Sequence, residues 1–428
     1  MKKNVLIFSG GSYPGIQIFF CLKNNLRFRP IMGSSYTDHS AYVCSDSYDN
    51  LPYINDPLFV DKLNSFLLEY NVQFIIPTHD TIALVLAQNR KIINAIVVCS
   101  SYETAYICRH KSKTYEVLKE YDFVPEIYNC DNIVDFPIFA KNDIGQGSQN
   151  AYIINSQNDI EKIRDGDISY IFCEYLPGDE ITIDCFTDRR GELRLIAPRT
   201  RDRIMNGIAA HSKSLCTTSE IKTIAETINK RIKFRGCWFI QCKCSASGKY
   251  KLLEVSTRLS GTFGVTKSLD INLPLLALCD FSDMDIQVKA NNTTVVSDKT
   301  YIDRYSIEYN YQRVYIDYDD TLVFEEGKYN SFALMYLFQC LNKHIEIILI
   351  TKHEHDILDT LQRLLIPKEL FAAIICVPIG RNKYEYISTD KPSIFIDNAF
   401  HERVLAKDRL GIPTYDPCNI DCLIDWSV

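Results

Sequence analysis

Residues Val314 to Val323 read V-Y-I-D-Y-D-D-T-L-V. An apolar run of the kind that fills a buried strand stops at Asp317, and the spacing D-x-D-x-T sets Asp317, Asp319 and Thr321 just past its end. Two carboxylates two residues apart at a strand end suit phosphoryl transfer. Asp317 can attack phosphorus and bind Mg²⁺; Asp319 can protonate the leaving oxygen and later deprotonate water. The plain alternative is an acidic turn that caps a strand.

Three segments downstream add to this pattern. Ile345 to Ile350 is a second apolar run and ends in Thr351. Lys383 opens the helix-like K-Y-E-Y-I, and a third run, Ser393 to Ile396, ends in Asp397-Asn398. Over about residues 311–428 the order of nucleophile strand, hydroxyl strand, lysine and acidic strand resembles the haloacid dehalogenase-like (HAD) superfamily. The resemblance implies a Rossmann-like hydrolase domain with Asp317 as nucleophile and Asp319 as acid/base. Thr351 and Lys383 would hold the phosphoryl oxygens, and Asp397 would join Asp317 and Asp319 at a Mg²⁺ site. Asn398 stands where many members carry a second acid. An acid at Asp319 points to a phosphatase, because an alkoxide leaving group needs a proton. Only 33 residues separate Asp317 from Thr351, and they read as a loop and one helix. That leaves no room for an inserted cap and predicts an open pocket.

Upstream, residues 106–290 carry a second set of signals. The helix-like K-S-K-T-Y-E-V-L-K begins at Lys111. P-I-F-A-K-N-D-I-G-Q-G-S reads as a strand ending at Lys141, then a loop with Gly145, Gly147 and Ser148. A lysine beside a glycine loop can neutralise a triphosphate and cradle it with backbone N–H groups; a β-hairpin turn would use the same glycines. F-C-E-Y-L-P-G-D-E-I-T-I-D-C-F carries Glu174 and Leu176 before a Pro177-Gly178 turn, then Glu180 on an alternating strand. F-I-Q-C-K and L-L-E-V-S-T-R read as paired strands that present oxygens of Gln241, Glu254 and Ser256 to Mg²⁺, with Arg258 toward a terminal phosphate.

Over residues 1–290 this order resembles the ATP-grasp superfamily, in particular the branch like the large subunit of carbamoyl phosphate synthetase. The resemblance implies that Lys111 and Lys141 contact ATP phosphates, Glu174 and Leu176 frame the adenine, Glu180 holds the ribose, and Gln241 and Glu254 bind Mg²⁺. Ser256 stands where the family usually has Asn. Arg199, Arg201 and Arg203 alternate along one stretch. On one strand they would share a face and form an anion site for a carboxylate or a transferred phosphate. The alternative for them is a solvated basic edge.

Residues 1–105 read as a small doubly wound domain. K-N-V-L-I-F at 3–8 is a buried strand, running into Gly10-Gly11 and a helix from about Gly15; Asn71 to Ile76 is another strand, ending in Pro77-Thr78-His79-Asp80. Polar residues at that strand end are where open α/β sheets bind ligands. The polar stretch Lys289 to Thr300 reads as a linker to the last domain, residues 301–428. The class is thus multi-domain α/β: a pre-ATP-grasp Rossmann-like domain, an ATP-grasp α+β domain and a HAD-like domain.

A 428-residue chain with net charge −7 and no lysine- and arginine-rich block argues against nucleic acid, and no apolar run has the length of a membrane span or signal core. The 16 cysteines are scattered without metal spacing, which fits a reducing cytoplasm. The combined expectation is an ATP- and Mg²⁺-dependent carboxylate–amine ligase fused to a Mg²⁺-dependent phosphomonoesterase. Its substrates are a small carboxylate, an amine and a phosphoester; homo-oligomerisation stays open. A kinase joined to a phosphatase, or a nucleotide-binding scaffold, are the other readings.

Overall fold

A computed structural model describes residues 2–424 apart from 45, 130–132, 134, 146–149, 165–168, 206 and 301–302. The chain forms two compact units: Met1–Val265 with Leu273–Val288, and Thr266–Asn272 with Lys289–Val428. Among the described residues no helix is long and apolar enough to cross a membrane.

The first unit begins with β1 (Lys3–Phe8), α1 (Tyr13–Leu22), β2 (Phe28–Gly33), β3 (Ser47–Tyr48), α2 (Phe59–Glu69), β4 (Val72–Pro77), α3 (Asp80–Gln88) and β5 (Ile96–Val97). The strands make one parallel sheet in the order β3-β2-β1-β4-β5. The central strands β1 and β4 are nearly continuous apolar runs, as strands buried on both faces are; Val5, Leu6, Ile7, Phe74 and Ile75 are buried. The order in which strands are added reverses between β1 and β4, so the carboxyl ends of these two strands flank a ligand crevice. The glycines after β1 have a local cause. A Cβ on Gly11 would overlap the Asp38 carboxylate, which accepts the Gly11 N–H at 3.0 Å. The turn at the start of α1 therefore holds an internal carboxylate.

Next come α4 (Tyr102–Arg109), α5 (Lys111–Leu118), β6 (Ile127–Tyr128), β7 (Ile138–Asn142), β8 (Ala151–Ile154), α6 (Gln157–Arg164) and β9 (Tyr170–Glu174). β6, β9, β7 and β8 form an antiparallel sheet in that order. β10 (Glu180–Thr187), β11 (Leu193–Thr200), the hairpin β12 (Arg203–Met205) and β13 (Ile208–Lys213), α7 (Ser219–Arg231), β14 (Gly236–Cys244) and β15 (Tyr250–Ser256) follow. A second antiparallel sheet runs β11-β10-β14-β15. The apolar face of α7 packs Ile221, Ile224 and Ile228 into a core with Ile183, Trp238 and Ile240. α8 (Gly264–Lys267) spans the boundary between units, and α9 (Leu273–Phe281) returns to the first, where Asp280 accepts from Arg235 Nε at 2.9 Å.

The second unit has the hairpin β16 (Val295–Lys299) and β17 (Asp303–Ile307), then β18 (Arg313–Ile316), the hairpin β19 (Val323–Phe324) and β20 (Lys328–Tyr329), and α10 (Ser331–Asn342). β21 (Glu346–Thr351), α11 (Ile357–Arg363), β22 (Ala373–Cys376), β23 (Ser393–Ile396), α12 (Phe400–Leu410) and β24 (Thr414–Tyr415) complete it. Its parallel sheet runs β22-β21-β18-β23-β24, with Val314, Ile316, Leu349, Ile394 and Ile396 buried.

Two sequence expectations change here. Lys289 to Thr300 is not all linker: Val295–Lys299 pairs with β17 inside the second unit, with Val295 and Ser297 buried and the residues between and after them only half-buried. The span from Asp317 to Thr351 holds the small β19–β20 hairpin as well as α10. Residues 266–272 also join the second unit, where the buried Asp270 side chain is paired with Lys407, while Lys267 Nζ meets Asp421 at 3.0 Å.

Candidate functional site

In the first unit a cavity of about 570 Å³ opens between the carboxyl ends of β1 and β4 and the two antiparallel sheets. Lys111, Lys141, Gly145, Glu174, Leu176, Glu180, Gln241, Glu254, Ser256 and Arg258 all line it. Gly147 and Ser148 lie outside the described residues.

Lys141, the penultimate residue of β7, is buried in the wall. Its Nζ donates to the Tyr115 hydroxyl at 2.5 Å and to the Leu253 carbonyl at 3.1 Å, and Tyr115 donates to Leu253 O at 2.7 Å. Burial pushes the Lys141 ammonium below its ordinary pKa. Lys111, the first residue of α5, donates to Gly145 O at 3.2 Å and lies 3.8 Å from Glu254 Oε2. Glu254 and Gln241 face each other across β14 and β15. Glu174 is the last residue of β9, and Leu176 follows it; both line the cavity.

Ser256 has a different partner from the one expected. Its hydroxyl donates to Asp80 Oδ1 at 2.5 Å, while Arg258 Nε and Nη2 reach Asp80 Oδ2 at 2.9 and 2.7 Å. Burial works against ionisation of Asp80, but Arg258 and Ser256 outweigh it and hold the carboxyl down to about 2. Gln241 and Glu254 remain the oxygen pair suited to a cation. Mg²⁺ commonly takes one or two carboxylates together with phosphate oxygens, so a lone carboxylate beside two lysines fits a metal delivered with a polyphosphate.

The three arginines do not share a face. Arg199 sits on β11, 1% exposed, with Nη1 on Asp184 Oδ2 at 2.6 Å, Nη2 on Ser260 Oγ at 2.6 Å and Nε on Thr262 Oγ1 at 2.8 Å. Its charge is consumed inside the fold. The chain leaves β11 at Thr200, so Arg201 turns to the cavity wall, where Nε meets Glu180 Oε1 at 2.6 Å and Nη2 donates to Gly207 O at 3.1 Å. Arg203 opens β12, is exposed and lies outside the lining. The strand break between Thr200 and Arg203 is what defeats the alternation.

The sequence reading also missed Asp80 as a partner of Arg258, Arg109 on the Gly145 carbonyl at 3.3 Å, and Tyr115 under Lys141. Tyr115 had a signal: four residues after Lys111, it shares that helix face.

The second unit places its acidic and basic residues at the carboxyl edge of the parallel sheet. Lys383 Nζ lies 2.6 Å from Asp317 Oδ1 and 2.6 Å from Asp397 Oδ2. Thr351 closes β21, the strand next to β18, and is fully buried. Burial raises the pKa of both carboxyls, with Asp397 adding to the effect on Asp317; burial alone would lower Lys383, but the two carboxylates hold it above its ordinary value. Asp317 Oδ1, though close to Lys383, receives no well-directed hydrogen bond. Two buried carboxylates against one ammonium, with an oxygen left over, fit a divalent cation. Among the described residues no three His, Cys, Asp or Glu side chains already converge as a metal cluster, so such an ion would draw further oxygens from water or substrate. Asp319 is paired differently: its carboxylate, 51% exposed, meets His353 Nδ1 at 2.9 Å. Asp320 takes φ 53°, the left-handed turn that reverses the chain after it. Thr321 accepts the Asn398 N–H at 3.2 Å, so Asn398 helps close the loop.

Residues 168–302 match the family model described as ATP-grasp in the biosynthetic pathway with Ter operon. The structure is similar to biotin carboxylase from Campylobacter jejuni, solved in complex with β-γ-ATP: TM-score 0.58, 14% identity, 70% of this chain and 75% of that one. It is similar to L-amino acid ligase from Bacillus licheniformis, with TM-score 0.56, 14% identity and coverage of 70% and 79%. It is also similar to N5-carboxyaminoimidazole synthetase from Staphylococcus aureus in complex with ADP, with TM-score 0.57, 13% identity and coverage of 70% and 83%. No curated protein matches the chain. At such identities the likeness speaks for the fold, which is a mixed α/β, multi-domain, ATP-grasp-like fold.

Proposed function

We propose that the first unit is an ATP-dependent carboxylate–amine ligase and the second a phosphomonoesterase of HAD type. The observation that carries the first half is the convergence of Lys111, Lys141, Gln241 and Glu254 on one cavity that also receives Glu174 and Leu176. On the motif spacing we place it nearest the carbamoyl phosphate synthetase branch. The L-amino acid ligase among the similar structures is the type of activity meant.

In this reading Glu174 and Leu176 flank the adenine, Glu180 the ribose, and Lys111 and Lys141 the phosphates. Gln241 and Glu254 hold Mg²⁺, which would neutralise the phosphate oxygens during transfer. A carboxylate oxygen attacks the γ-phosphorus and ADP leaves. The amine then attacks the acyl carbon, loses a proton, and phosphate departs with the bonding pair. Arg258, fixed by Asp80, faces the charge that develops on the transferred phosphoryl group. ADP release by the full-length protein over a grid of carboxylates and amines tests this. Release that needs both co-substrates supports ligation; release with a single co-substrate would favour a kinase.

The HAD reading rests on Asp317, Thr351, Lys383 and Asp397 standing together at one edge of a parallel sheet. Asp317 attacks phosphorus, Lys383 and Thr351 steady the phosphoryl oxygens, and Asp317 with Asp397 would hold Mg²⁺, which supplies charge neutralisation. Hydrolysis of 4-nitrophenyl phosphate should vanish in Asp317→Asn while ATP-dependent activity persists. Unchanged hydrolysis would remove Asp317 as nucleophile. Joining both activities in one chain suits consecutive biosynthetic steps.

A further inference from the structure

The proposed acid/base is the exposed member of the phosphatase site, and an exposed carboxylate explores several rotamers. Proton transfer to a leaving oxygen requires it within about 2.6–3.2 Å, so something must hold it. His353 is in place to do so. Its Nδ1 lies 2.9 and 3.1 Å from the two Asp319 oxygens.

The imidazole is itself restrained. The His353 backbone N–H donates to Thr351 Oγ1 at 3.1 Å, Nε2 lies 3.3 Å from Thr360 Oγ1 on α11, and the ring stands edge-on to Tyr318 at 5.0 Å. Its side chain is 13% exposed against 51% for Asp319. A carboxylate only accepts, so Nδ1 carries the hydrogen toward it, and Nε2 then accepts from the Thr360 hydroxyl. One residue is thus bonded through its backbone to the hydroxyl that steadies the phosphoryl group and through its ring to the carboxyl that serves the leaving oxygen. A simple surface ion pair would have no reason to connect the two.

We propose that His353 is a positioning residue that aims Asp319 at the leaving oxygen; this rests on the phosphatase reading. As the ester P–O bond breaks, its electron pair goes to the leaving oxygen, which takes the Asp319 proton. The resulting carboxylate is received by Nδ1–H. It then takes a proton from the water that attacks phospho-Asp317. His353 gains and loses nothing over the cycle.

The test uses leaving groups. 4-Nitrophenolate departs without a proton, whereas an alkoxide needs one. With the full-length protein and Mg²⁺, His353→Ala should lose kcat/KM, which reports ester cleavage and not the later hydrolysis of phospho-Asp317 common to both esters, about tenfold more on 2-phenylethyl phosphate than on 4-nitrophenyl phosphate, since general acid catalysis is worth roughly 10²–10⁴ and misaiming forfeits part of it. His353→Asn, which keeps a donor near Nδ1, should recover most of that difference. Equal losses on both esters, or no loss on either, would overturn the assignment. If His353→Ala does not fold, Thr360→Val carries the same comparison: removing the hydroxyl beside Nε2 should give a smaller loss of the same selectivity, and a uniform loss counts against His353. Asp317→Asn separates the two levels. If it is inactive while His353→Ala loses uniformly, only His353 is retired; if it hydrolyses both esters like the wild type, the phosphatase reading falls and takes this inference with it.

Discussion

Asp80 Oδ2 accepts both Nε and Nη2 of Arg258, at 2.9 and 2.7 Å, although the two residues are 178 positions apart. Asp80 opens α3 just beyond β4, and Arg258 follows β15, which carries Glu254. The parallel sheet of the first unit therefore fastens the segment that runs past the proposed metal pair. Phe239 lies under the guanidinium at 5.3 Å and completes its seat.

Asp80→Asn should consequently lower ligase turnover more than it raises the KM for ATP, because Arg258 would keep its charge and lose its aim. The same pair makes stability depend on pH. The folded carboxyl sits at about 2 against an ordinary 3.8, so its contribution is complete above about pH 4 and is lost as pH falls toward 2. The size is about 2 kcal/mol. Urea unfolding at pH 7 and pH 3 should show a larger drop for the wild type than for Asp80→Asn; equal drops would mean that Asp80 is not the group responsible.

Much of this architecture is legible in the chain because buried parallel strands read as apolar runs with a polar residue at the carboxyl end. Val314–Ile316 with Asp317, Ile347–Ile350 with Thr351, and Ser393–Ile396 with Asp397 all follow that rule. What escapes is pairing over distance. Nothing local to Asp80 announces Arg258, and nothing near Asp38 announces the Gly11 N–H. Short elements escape too: Val295–Lys299 shows itself as a strand through its pairing with β17, not through its own five residues. The arginine run fails for a third reason, since one turn between β11 and β12 sends consecutive odd residues to a buried core, a cavity wall and the exterior.

Lys141→Ala and Glu254→Ala should each weaken MgATP binding. Lys141 is buried with its Nζ fixed by Tyr115 and Leu253, so it meets a phosphate at little further ordering cost. A charge-assisted contact in such a place is worth about 1.5–3 kcal/mol, hence a tenfold or larger loss. Calorimetric titration with a non-hydrolysable ATP analogue measures it. Affinity unchanged in both variants would rule out this cavity as the nucleotide site.

Arg199 should behave as a structural residue. Arg199→Met takes the guanidinium away from the buried Asp184 carboxylate; breaking a buried ion pair costs about 3–5 kcal/mol. Burial already works against the Arg199 charge, lowering its pKa, so the pair holds by mutual compensation rather than by surplus. Replacing both, Arg199→Met with Asp184→Leu, should therefore recover much of the loss in urea midpoint. A double variant as unstable as the single one would show that Ser260 and Thr262, rather than Asp184, set the cost.

Arg201 and Arg203 should separate cleanly. Arg201 joins Glu180 to the Gly207 carbonyl at the cavity wall, so Arg201→Ala frees the carboxylate proposed to hold the ribose and releases the turn of the β12–β13 hairpin. The expected result is a rise of about tenfold in the KM for ATP, the equivalent of one charge-assisted contact. Arg201→Lys should be impaired as well, because a single ammonium lacks the planar fork that reaches two acceptors in different directions. Arg203 is exposed and outside the lining, and Arg203→Ala should change the same constant by no more than about twofold, as ordinary surface substitutions do. Steady-state kinetics on the three variants decides it. Equal effects at 201 and 203 would restore a shared anion site and refute the division that the strand break imposes.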